Sequence, residues 1–362
     1  MRIVVDVTPL SRPRTGIGNY FRGMLAGLAE AGEGRHELVA FGPSGPNGRR
    51  RIRDSLAGLP IDLRVPLLPR AHAWRVAWSR LGRPSVERFV GPLDVFHFSD
   101  WMYPPQRGGL RATTIHDLVP LRFPDWVEPA TARMHGPKYV HAAQTCDRIF
   151  VNSRFTAGEV VELLDVPEER IVVAHPGIDP RFRPDGDRAD LDGPYVLTVG
   201  TLEPRKNLPL LAEAFAHVRE RHPDLTLAIA GLEGWEERPL AAEGIRLLGY
   251  VSDDELARLY RGAAAFAYPS RFEGFGIPVV EALASGIPAV VSSHPSLDEA
   301  SGEAALRADP DDPRAFAAAL EWALEAGSQW SERGLAHASR FTWRACGEAV
   351  LAGYEEASET KP

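Results

Sequence analysis

The chain alternates between short apolar runs and longer segments in which apolar residues recur at helical spacing. The apolar runs are rich in β-branched residues, which is typical of strands buried on both faces of a parallel sheet. The alternation of strand and helix, repeated in each half, predicts two doubly wound, Rossmann-like α/β domains that face a cleft. The predicted strands are residues 2–7, 37–42, 93–98, 112–115, 148–153 and 171–174 in the first half, and 195–200, 226–230, 245–248, 264–268 and 287–291 in the second.

The periodic pattern stops near the middle of the chain, at residues 175–193, HPGIDPRFRPDGDRADLDG. Pro, Gly and Asp at this density are typical of a loop or linker. The chain has 362 residues, and such a length suits two domains of roughly 150–200 residues. We therefore predict an N-terminal domain over residues 1–175, a linker over 176–193, a C-terminal domain over 194–338 and a terminal helical segment over 339–362.

Composition narrows the class of protein. The hydrophobic fraction of 44% and the charged fraction of 25% are those of a soluble globular protein. A formal net charge of −8 argues against a nucleic-acid-binding protein, which needs a basic surface. Cys146 and Cys346 are too few for a disulfide framework or a zinc cluster and favour a reducing compartment.

The N-terminal residues predict a short strand and lack the features of a signal peptide. In addition, no apolar stretch approaches the ~20 residues that span a bilayer. We therefore expect a cytoplasmic protein, or one that lies on a membrane face without crossing it.

Residues 270–293, SRFEGFGIPVVEALASGIPAVVSS, predict a loop, a short helix and a buried strand. Gly274 and Gly276 permit backbone conformations that other residues avoid, and Gly286 is expected in a left-handed conformation just past the helix. Free N–H groups and a helix dipole both favour negative charge. The loop, with the N–H groups of Phe275 and Gly276, therefore predicts an anion site.

Two carboxylates belong to this segment, Glu273 in the loop and Glu281 in the predicted first turn of the helix. The hydroxyl groups of a sugar and of a ribose would satisfy them, because carboxylates accept O–H hydrogen bonds. Eight residues along a helix rise about 12 Å, whereas glycosidase carboxylates lie about 5–9 Å apart. We interpret the pair as binding residues rather than hydrolytic ones; the alternative is an ordinary crossover with two solvent-facing glutamates.

A second anion site is predicted after the strand at 195–200. Gly200 begins the loop, and Arg205 and Lys206 stand immediately before a helix, with Asn207 as the expected N-cap. An arginine binds phosphate bidentately and a lysine acts as a point charge, so both would stabilise a phosphate group. The alternative is a solvated charged turn.

The first half offers weaker candidates. Gly16 and Gly18 are predicted to form a glycine-rich turn between the first strand and the first helix. They match only part of a dinucleotide-binding motif, because Phe21 occupies the position of the third glycine. The alternative is a tight strand-to-helix connection without a ligand.

His116 directly follows the strand at 112–115, at the end where ligands bind in parallel sheets. Its ordinary pKa suits proton transfer or hydrogen bonding near neutral pH. The alternative is a buried structural histidine. Asp117 is expected to orient the loop or the imidazole, and Ser153 is expected to cap the helix that follows the strand at 148–153.

Residues 64–83 are rich in arginine, and Trp74, Trp78 and Leu81 fall on one predicted helical face among them. This pattern is typical of a helix in a membrane interface. The alternative is a solvated basic face whose tryptophans pack on the domain core.

The segment EGFGIPVVE, from Glu273 to Glu281, resembles the E-x7-E signature of glycosyltransferase family 4, the retaining, nucleotide-sugar-dependent enzymes with the GT-B fold. Residues 200–206 resemble the G-x-L-x-x-x-K element of the same family. The resemblance covers nearly the whole chain and is denser in the second half. The family pattern continues at Ala282, Ser285, Gly286 and Pro288.

The resemblance implies transfer of a hexose from a nucleoside-diphosphate sugar to a saccharide or lipid-linked acceptor, by front-face substitution with retention. It implies that Arg205 and Lys206 bind the diphosphate and that His116 contacts the donor sugar. The terminal helix is expected to cross back to the first domain. The resemblance further assigns donor-side positions to Gly16 and Gly18 and backbone contacts with the nucleobase to Tyr250 and Val251.

HDLVPLRFP and GTLEPRKN resemble the mannosyltransferases of cell-surface polysaccharides, so GDP-mannose is the first candidate donor. We expect no cofactor and no essential metal, since Arg205 and Lys206 would stabilise the leaving diphosphate. The Asp-x-Asp patterns do not directly follow apolar strands, and we interpret them as turns. They lie at residues 185–187, 190–192 and 309–311.

Four alternatives remain at this point: a metal-dependent glycosyltransferase, a sugar-nucleotide epimerase, a phosphorylase, and a non-catalytic binding partner with the same fold. A phosphorylase would need an additional phosphate or cofactor site with a lysine, which the sequence does not reveal. A binding-only protein has no need for the full set Glu273, Glu281, Arg205, Lys206 and His116.

Overall fold

A computed structural model describes residues 1–13, 16–68, 71–99, 103–232, 234, 242–326 and 328–360. The chain forms two compact units, Met1–Gly177 together with Thr342–Pro362, and Ile178–Phe341. The stretch expected to be a linker belongs from Ile178 onward to the second unit. Its apolar side chains cause this, because Phe182 is buried there and Ile178 packs beside it on the same core.

The predicted strands and helices occur in the expected order, and the structure adds the short elements β3, α4, α5, α11 and β13 and the longer helices α2, α6 and α13, which the apolar pattern did not predict. They are β1 (Arg2–Asp6), α1 (Gly16–Gly32), β2 (Glu37–Phe41), α2 (Pro46–Ser55), β3 (Asp62–Arg64), α3 (Ala71–Leu81), α4 (Glu87–Val90), β4 (Val95–Phe98), β5 (Leu110–Ile115), α5 (Val119–Arg122), α6 (Pro129–Thr145), β6 (Arg148–Val151), α7 (Arg154–Leu164), β7 (Ile171–Val173), β8 (Tyr195–Val199), α8 (Leu208–Arg219), β9 (Thr226–Ala230), β10 (Ile245–Gly249), α9 (Asp253–Gly262), β11 (Ala265–Tyr268), α10 (Ile277–Ala284), β12 (Ala289–Ser292), α11 (Asp298–Ser301), β13 (Leu306–Ala308), α12 (Pro313–Ala326), α13 (Ser328–Ala338) and α14 (Trp343–Thr360).

Each unit contains one parallel sheet. The first sheet has the order β3-β2-β1-β4-β5-β6-β7 and the second the order β10-β9-β8-β11-β12-β13. In both sheets the first strand of the unit is internal and the order reverses beside it, between β1 and β4 and between β8 and β11. Ligands of doubly wound proteins bind at the carboxyl ends of the strands at such a reversal.

The central strands of each sheet are buried on both faces, which explains why they are apolar at successive positions. In β1, Ile3 and Val5 pack with α1 and α14, whereas Val4 packs in a separate cluster with residues of α3, α6 and α7. The second sheet likewise separates a cluster containing residues of α9 and α10 from one containing residues of α8 and α12. Both units are therefore doubly wound α/β structures.

The terminal helix α14 packs against α1 through glycines. A β-carbon on Gly27 would lie 1.8 Å from the carbonyl oxygen of Trp343, and one on Gly347 would lie 2.2 Å from the backbone of Gly27. The Tyr354 hydroxyl, at the other end of α14, lies 2.6 Å from Nδ1 of His97 in β4. These contacts hold α14 on the first unit.

The loop predicted around Gly16 and Gly18 is helical instead. Gly16 is the first residue of α1, and Gly18 is buried within the same helix. Thr15 lies outside the described residues. A β-carbon on Gly16 would meet no atom within 4 Å among the described residues, so contacts with that part of the chain do not require a glycine at this position.

Candidate active site

Two loops meet at the carboxyl ends of β8 and β11, at the strand-order reversal of the second sheet. The loop after β8 contains Arg205 and Lys206, and the loop after β11 contains Glu273. The Arg271 N–H donates to the carbonyl oxygen of Arg205 at 2.8 Å, and the Ser270 hydroxyl oxygen lies 3.1 Å from the same carbonyl oxygen. The two predicted anion-binding segments are therefore parts of one site.

The Glu273 carboxylate lies at the centre of this site. Oε2 lies 2.8 Å from Nη1 of Arg205, and Oε1 lies 2.5 Å from Nζ of Lys206. Oε1 also accepts hydrogen bonds from the hydroxyls of Tyr268 at 3.0 Å and Ser270 at 2.6 Å. Burial opposes ionisation, but the two cations and these donors outweigh it and lower the pKa of Glu273 to about 2. Glu273 is ionised at neutral pH.

The two cations differ in their surroundings. Lys206 is buried, and burial together with the neighbouring Arg205 lowers its pKa, against the opposing effect of Glu273. Arg205 also pairs with Glu203 at 2.8 Å and donates to the carbonyl oxygen of Phe272 at 3.3 Å. Both cations thus have protein carboxylates as partners, and an anionic ligand would compete with those carboxylates.

Gly200 makes room for the lysine. A β-carbon on Gly200 would lie 3.2 Å from Cε of Lys206, and the φ of Gly200 is 155°. Asn207 occupies the expected N-cap position of α8, but its side chain makes no cap hydrogen bond there. The amide donates instead to the carbonyl oxygens of Pro269 and Pro310, at 3.3 and 2.7 Å. Asn207 therefore stands at the start of α8, and its side chain connects this helix start to two other loops.

The glycines of the loop after β11 have different roles. Gly276 has a φ of 100° at the N-cap of α10, and its β-carbon would lie 2.6 Å from Cδ2 of Leu297. Gly274 is not among the residues with positive φ, so the expectation of an unusual backbone holds at Gly276. Phe275 is buried against the ring of Phe341, with 5.3 Å between the ring centroids. The backbone of this loop is thereby fixed from both sides.

Glu281 is the fifth residue of α10, not a first-turn residue as predicted. It is 8% exposed and accepts a hydrogen bond from the Tyr260 hydroxyl at 3.1 Å. Burial raises the pKa of Glu281 to about 8, the Tyr260 bond opposes this, and the nearby charges of Asp253 and Asp179 add to it. Glu281 therefore keeps its proton to a much higher pH than an ordinary glutamate.

Tyr250 and Val251 follow β10 directly. The Tyr250 side chain is 54% exposed, whereas Val251 is partly buried against the core cluster that contains residues of α9 and α10. Gly249 has a φ of 67°, which turns the chain at the end of the strand. The turn thus presents one aromatic side chain to solvent.

His116 lies in the other unit, at the carboxyl end of β5. It is 8% exposed, and its Nδ1 lies 3.1 Å from the side-chain nitrogen of Asn152. The rings of Tyr20 and Phe21 lie edge-on to the imidazole, with centroids 5.0 and 5.7 Å away. Burial lowers the pKa of His116 to about 4, despite the opposing bond from Asn152. The imidazole is neutral at pH 7 and suited to hydrogen bonding.

The neighbouring expectations are confirmed. The Asp117 carboxylate accepts a hydrogen bond from the Val119 N–H at 3.2 Å, and the Ser153 hydroxyl accepts one from the Thr156 N–H at 3.0 Å at the start of α7.

The three residues predicted to form one apolar face within residues 64–83 differ in their exposure to solvent. Trp78 is 2% exposed and its indole N–H donates to the carbonyl oxygen of Pro84 at 2.5 Å, so it belongs to the core. Trp74 and Leu81 are 38% and 73% exposed. Arg75 is buried rather than solvated. Arg70 lies outside the described residues.

Two of the Asp-x-Asp patterns form turns. The Asp190 carboxylate accepts from the Asp192 N–H at 3.0 Å, and the Asp309 carboxylate accepts from the Asp311 N–H at 2.8 Å. Within the described ranges, His, Cys, Asp and Glu side chains form no group of three that could hold a metal ion.

Sequence reasoning missed three residues of the site, Tyr268, Ser270 and Tyr260. Tyr268 and Ser270 stand at the carboxyl end of a predicted strand, and that position alone would have singled them out. Tyr260 gave no such signal, since it lies within the apolar pattern of α9. The first unit also has an unpredicted polar group at its own strand-order reversal. There, the buried Asp6 carboxylate accepts hydrogen bonds from the backbone N–H and hydroxyl groups of Thr8 and Ser99.

Comparison with known proteins gives the class of this chain. The family described as Glycosyltransferase Family 4 matches residues 14–182, and Glycosyl transferases group 1 matches residues 183–336. The O-antigen chain mannosyltransferase B of Escherichia coli is 31% identical over 392 residues, covering 98% of this chain and 100% of that protein. The fold, the site and these matches define a glycosyltransferase enzyme. More particularly, the chain belongs to the family 4 glycosyltransferases.

Further similarities are consistent with this membership. The serotype-specific mannosyltransferase WbdA of Escherichia coli is 26% identical over 264 residues, which cover 66% of this chain and 32% of that protein. A crystal structure of Anabaena Alr3699/HepE in complex with UDP and glucose superimposes with a TM-score of 0.69, at 13% identity, over 98% of this chain and 100% of that one. The fold is GT-B. Among the described helices, none is long and apolar enough to cross a membrane.

Proposed function

We propose that this glycosyltransferase transfers a hexose from a nucleoside-diphosphate sugar to a saccharide or lipid-linked acceptor, with retention at the anomeric carbon. The observation that carries the proposal is the convergence of Arg205, Lys206 and Glu273 at the strand-order reversal of the second sheet. Preorganised cations at this point would stabilise the charge that develops on a leaving diphosphate.

Each charged residue has a proposed role. The diphosphate oxygens would compete with Glu273 for Arg205 and Lys206, and the N–H groups of Phe275 and Gly276 would add to their effect. Because this competition would weaken the ion pairs of Glu273, its carboxylate oxygens could accept hydrogen bonds from sugar hydroxyls. These cations would make a metal or another cofactor unnecessary.

The remaining contacts are assigned by chemistry. Glu281 would bind the ribose, where a protonated carboxyl group both donates and accepts a hydrogen bond. The neutral His116 imidazole would hydrogen-bond the donor sugar, and Gly16 and Gly18 would lie on the donor side of the first unit. The backbone at Tyr250 and Val251 would contact the nucleobase.

Mannose from GDP-mannose is the first candidate donor, supported by the similarity to two Escherichia coli mannosyltransferases. A UDP-sugar is the second donor to test beside GDP-mannose, because the structurally similar HepE was crystallised in complex with UDP and glucose.

We further propose that the enzyme works in the cytoplasm and contacts the inner face of the membrane. Trp74 and Leu81 on α3, together with Phe89, are exposed apolar residues, and Arg83 and Arg88 are exposed beside them in the sequence. Cations around apolar side chains suit a surface of anionic lipids. The test is sedimentation with anionic and neutral vesicles; equal binding to both, or none, would contradict the proposal.

The decisive experiment for the reaction uses purified protein with GDP-mannose, UDP-glucose and ADP-glucose, in the presence and absence of saccharide acceptors and of a metal chelator. We expect transfer from one donor, resistant to the chelator and retaining in product stereochemistry. Formation of an epimer would identify an epimerase instead, loss of activity with chelator would indicate a metal-dependent enzyme, and no turnover with binding alone would indicate a non-catalytic partner.

A further inference from the structure

Tyr268, the last residue of β11, lies between two charged side chains of the candidate active site. Its hydroxyl oxygen is 2.5 Å from Nζ of Lys206 and 3.0 Å from Oε1 of Glu273. The ring also contacts the cation, with 4.8 Å between Nζ of Lys206 and the ring centroid. Tyr268 is 2% exposed, so water does not replace these partners.

The chemistry of the three groups determines the direction of each hydrogen bond. An ammonium group only donates and a carboxylate only accepts. Lys206 therefore donates to the Tyr268 oxygen, and the Tyr268 hydroxyl donates to Glu273. Lys206 also donates directly to Glu273 at 2.5 Å. These two bonds fix the directions of two N–H groups of the ammonium, and its tetrahedral geometry then fixes the third.

We propose that Tyr268 is a positioning residue, whose hydroxyl holds the Lys206 ammonium so that its third N–H is directed at the donor diphosphate. This inference rests on the proposed function. With Glu273 as the sole acceptor, the orientation of the ammonium about its Cε–Nζ bond would depend on one hydrogen bond, and an anionic ligand that competes for Lys206 would weaken that bond. The Tyr268 hydroxyl is a second acceptor for Lys206. The ammonium therefore keeps its orientation even when a bound anion weakens the bond between Lys206 and Glu273.

The amino-acid composition makes a direct test practical. Three of the 41 basic residues are lysines, namely Lys138, Lys206 and Lys361. A protein isotopically labelled at the lysine ε-carbons therefore gives three resonances, and Lys138 and Lys361 serve as internal references. Each resonance reports the protonation of one known amine across a pH titration.

The experiment compares the wild type with Tyr268→Phe, which keeps the ring and removes the hydroxyl. Tyr195→Phe is the matched control, because the Tyr195 hydroxyl is also buried but donates to the carbonyl oxygen of Leu259 at 2.7 Å. In Tyr268→Phe we expect the Lys206 resonance to titrate at lower pH, since the ammonium has lost an acceptor, while the other two lysines are unchanged. Affinity for GDP or UDP should fall about 10-fold to 100-fold.

In the wild type, whichever of GDP, UDP and ADP binds must shift the Lys206 resonance and leave the Lys361 resonance unchanged. If the Lys206 resonance did not shift, the wild-type protein alone would overturn the inference. Unchanged Lys206 titration or unchanged nucleotide affinity in Tyr268→Phe would overturn it too, as would equal losses in Tyr195→Phe. A wild type that binds none of GDP, UDP and ADP would overturn the proposed function, and this inference with it. Normal wild-type binding with an unaffected Tyr268→Phe would overturn this inference alone.

Discussion

Glu273 and Glu281 are chemically identical and both buried, yet their pKa values move in opposite directions. Glu273 has Arg205 and Lys206 as partners, so its ionised form is stabilised despite burial. Glu281 has one hydroxyl donor, from Tyr260, and burial dominates. The difference follows from which neighbours compensate for the loss of water around a carboxylate.

The Lys206 ammonium is expected to be required for turnover. In Lys206→Met the diphosphate loses a buried cation and Glu273 loses one of its two ion pairs, so we expect kcat/KM for the donor to fall about 100-fold or more. The measurement is transfer kinetics with the donor found for the wild type. Arg221→Met is the control, because Arg221 forms an exposed ion pair with Glu321. Equal activity of Lys206→Met and wild type would remove the basis of the diphosphate assignment.

Glu281 should make the protein less stable as pH rises. Its folded-state pKa of about 8 exceeds the ordinary value of 4.5, so the folded state holds a proton that the unfolded state has released. The stabilisation is present below pH 4.5 and is lost between that pH and about 8. Glu281→Gln removes this dependence, and we expect it to be more stable than the wild type at pH 8 by about 1–4 kcal/mol.

The measurement is thermal unfolding of both proteins at pH 5 and pH 8 without nucleotide. Glu255→Gln on α9 is the control, since Glu255 is exposed. A wild type and a Glu281→Gln variant with the same change in midpoint between the two pH values would show that Glu281 is ionised in the folded protein.

At the scale of elements, the contact of α1 with α14 depends on glycine. In Gly27→Ala the new methyl group would overlap the carbonyl oxygen of Trp343, which backbone movement alone can relieve. We expect a loss of stability of at least about 2 kcal/mol.

Gly158→Ala is the matched control for that substitution. Gly158 lies inside α7, and a β-carbon there would meet no atom within 4 Å among the described residues. Alanine has the higher helix propensity, so this variant should be neutral or stabilised by up to about 1 kcal/mol. Thermal unfolding of both variants is the measurement, and equal stability of Gly27→Ala and Gly158→Ala would contradict the close packing of α1 and α14.

For the whole molecule, the two units should respond unequally to nucleotide. Arg205, Lys206, Glu273 and Glu281 all lie in the second unit. Since a ligand stabilises the state to which it binds, GDP or UDP without a sugar should increase amide protection mainly in peptides covering residues 200–208 and 268–285. Hydrogen exchange with mass spectrometry is the measurement. Protection confined to the first unit would place the nucleotide elsewhere.

Much of this architecture was predictable, because a buried strand or helix has a recognisable pattern of apolar residues in its own sequence. Strands buried on both faces are apolar at successive positions, so their number and order could be predicted, apart from the short β3 and β13. The left-handed Gly286, with a φ of 76°, was also predictable, because a glycine just past the end of a helix commonly adopts this conformation. The stretch after Ile178 was not predictable in this way. Its many Pro, Gly and Asp residues are typical of a linker, although a few apolar side chains within it pack on the second unit.

The sequence by itself determined the class of protein, two doubly wound halves, and the segments that contain Arg205, Lys206 and Glu273, because these depend on periodicity and on motifs within a few residues. Only the tertiary structure decided which side chains meet. The hydroxyl of Tyr268 reaches Lys206 across 62 positions of sequence, and the burial of Glu281 sets its protonation. Such contacts depend on how strands and loops that are distant in sequence come together. A local sequence pattern does not show which distant residues will be in contact.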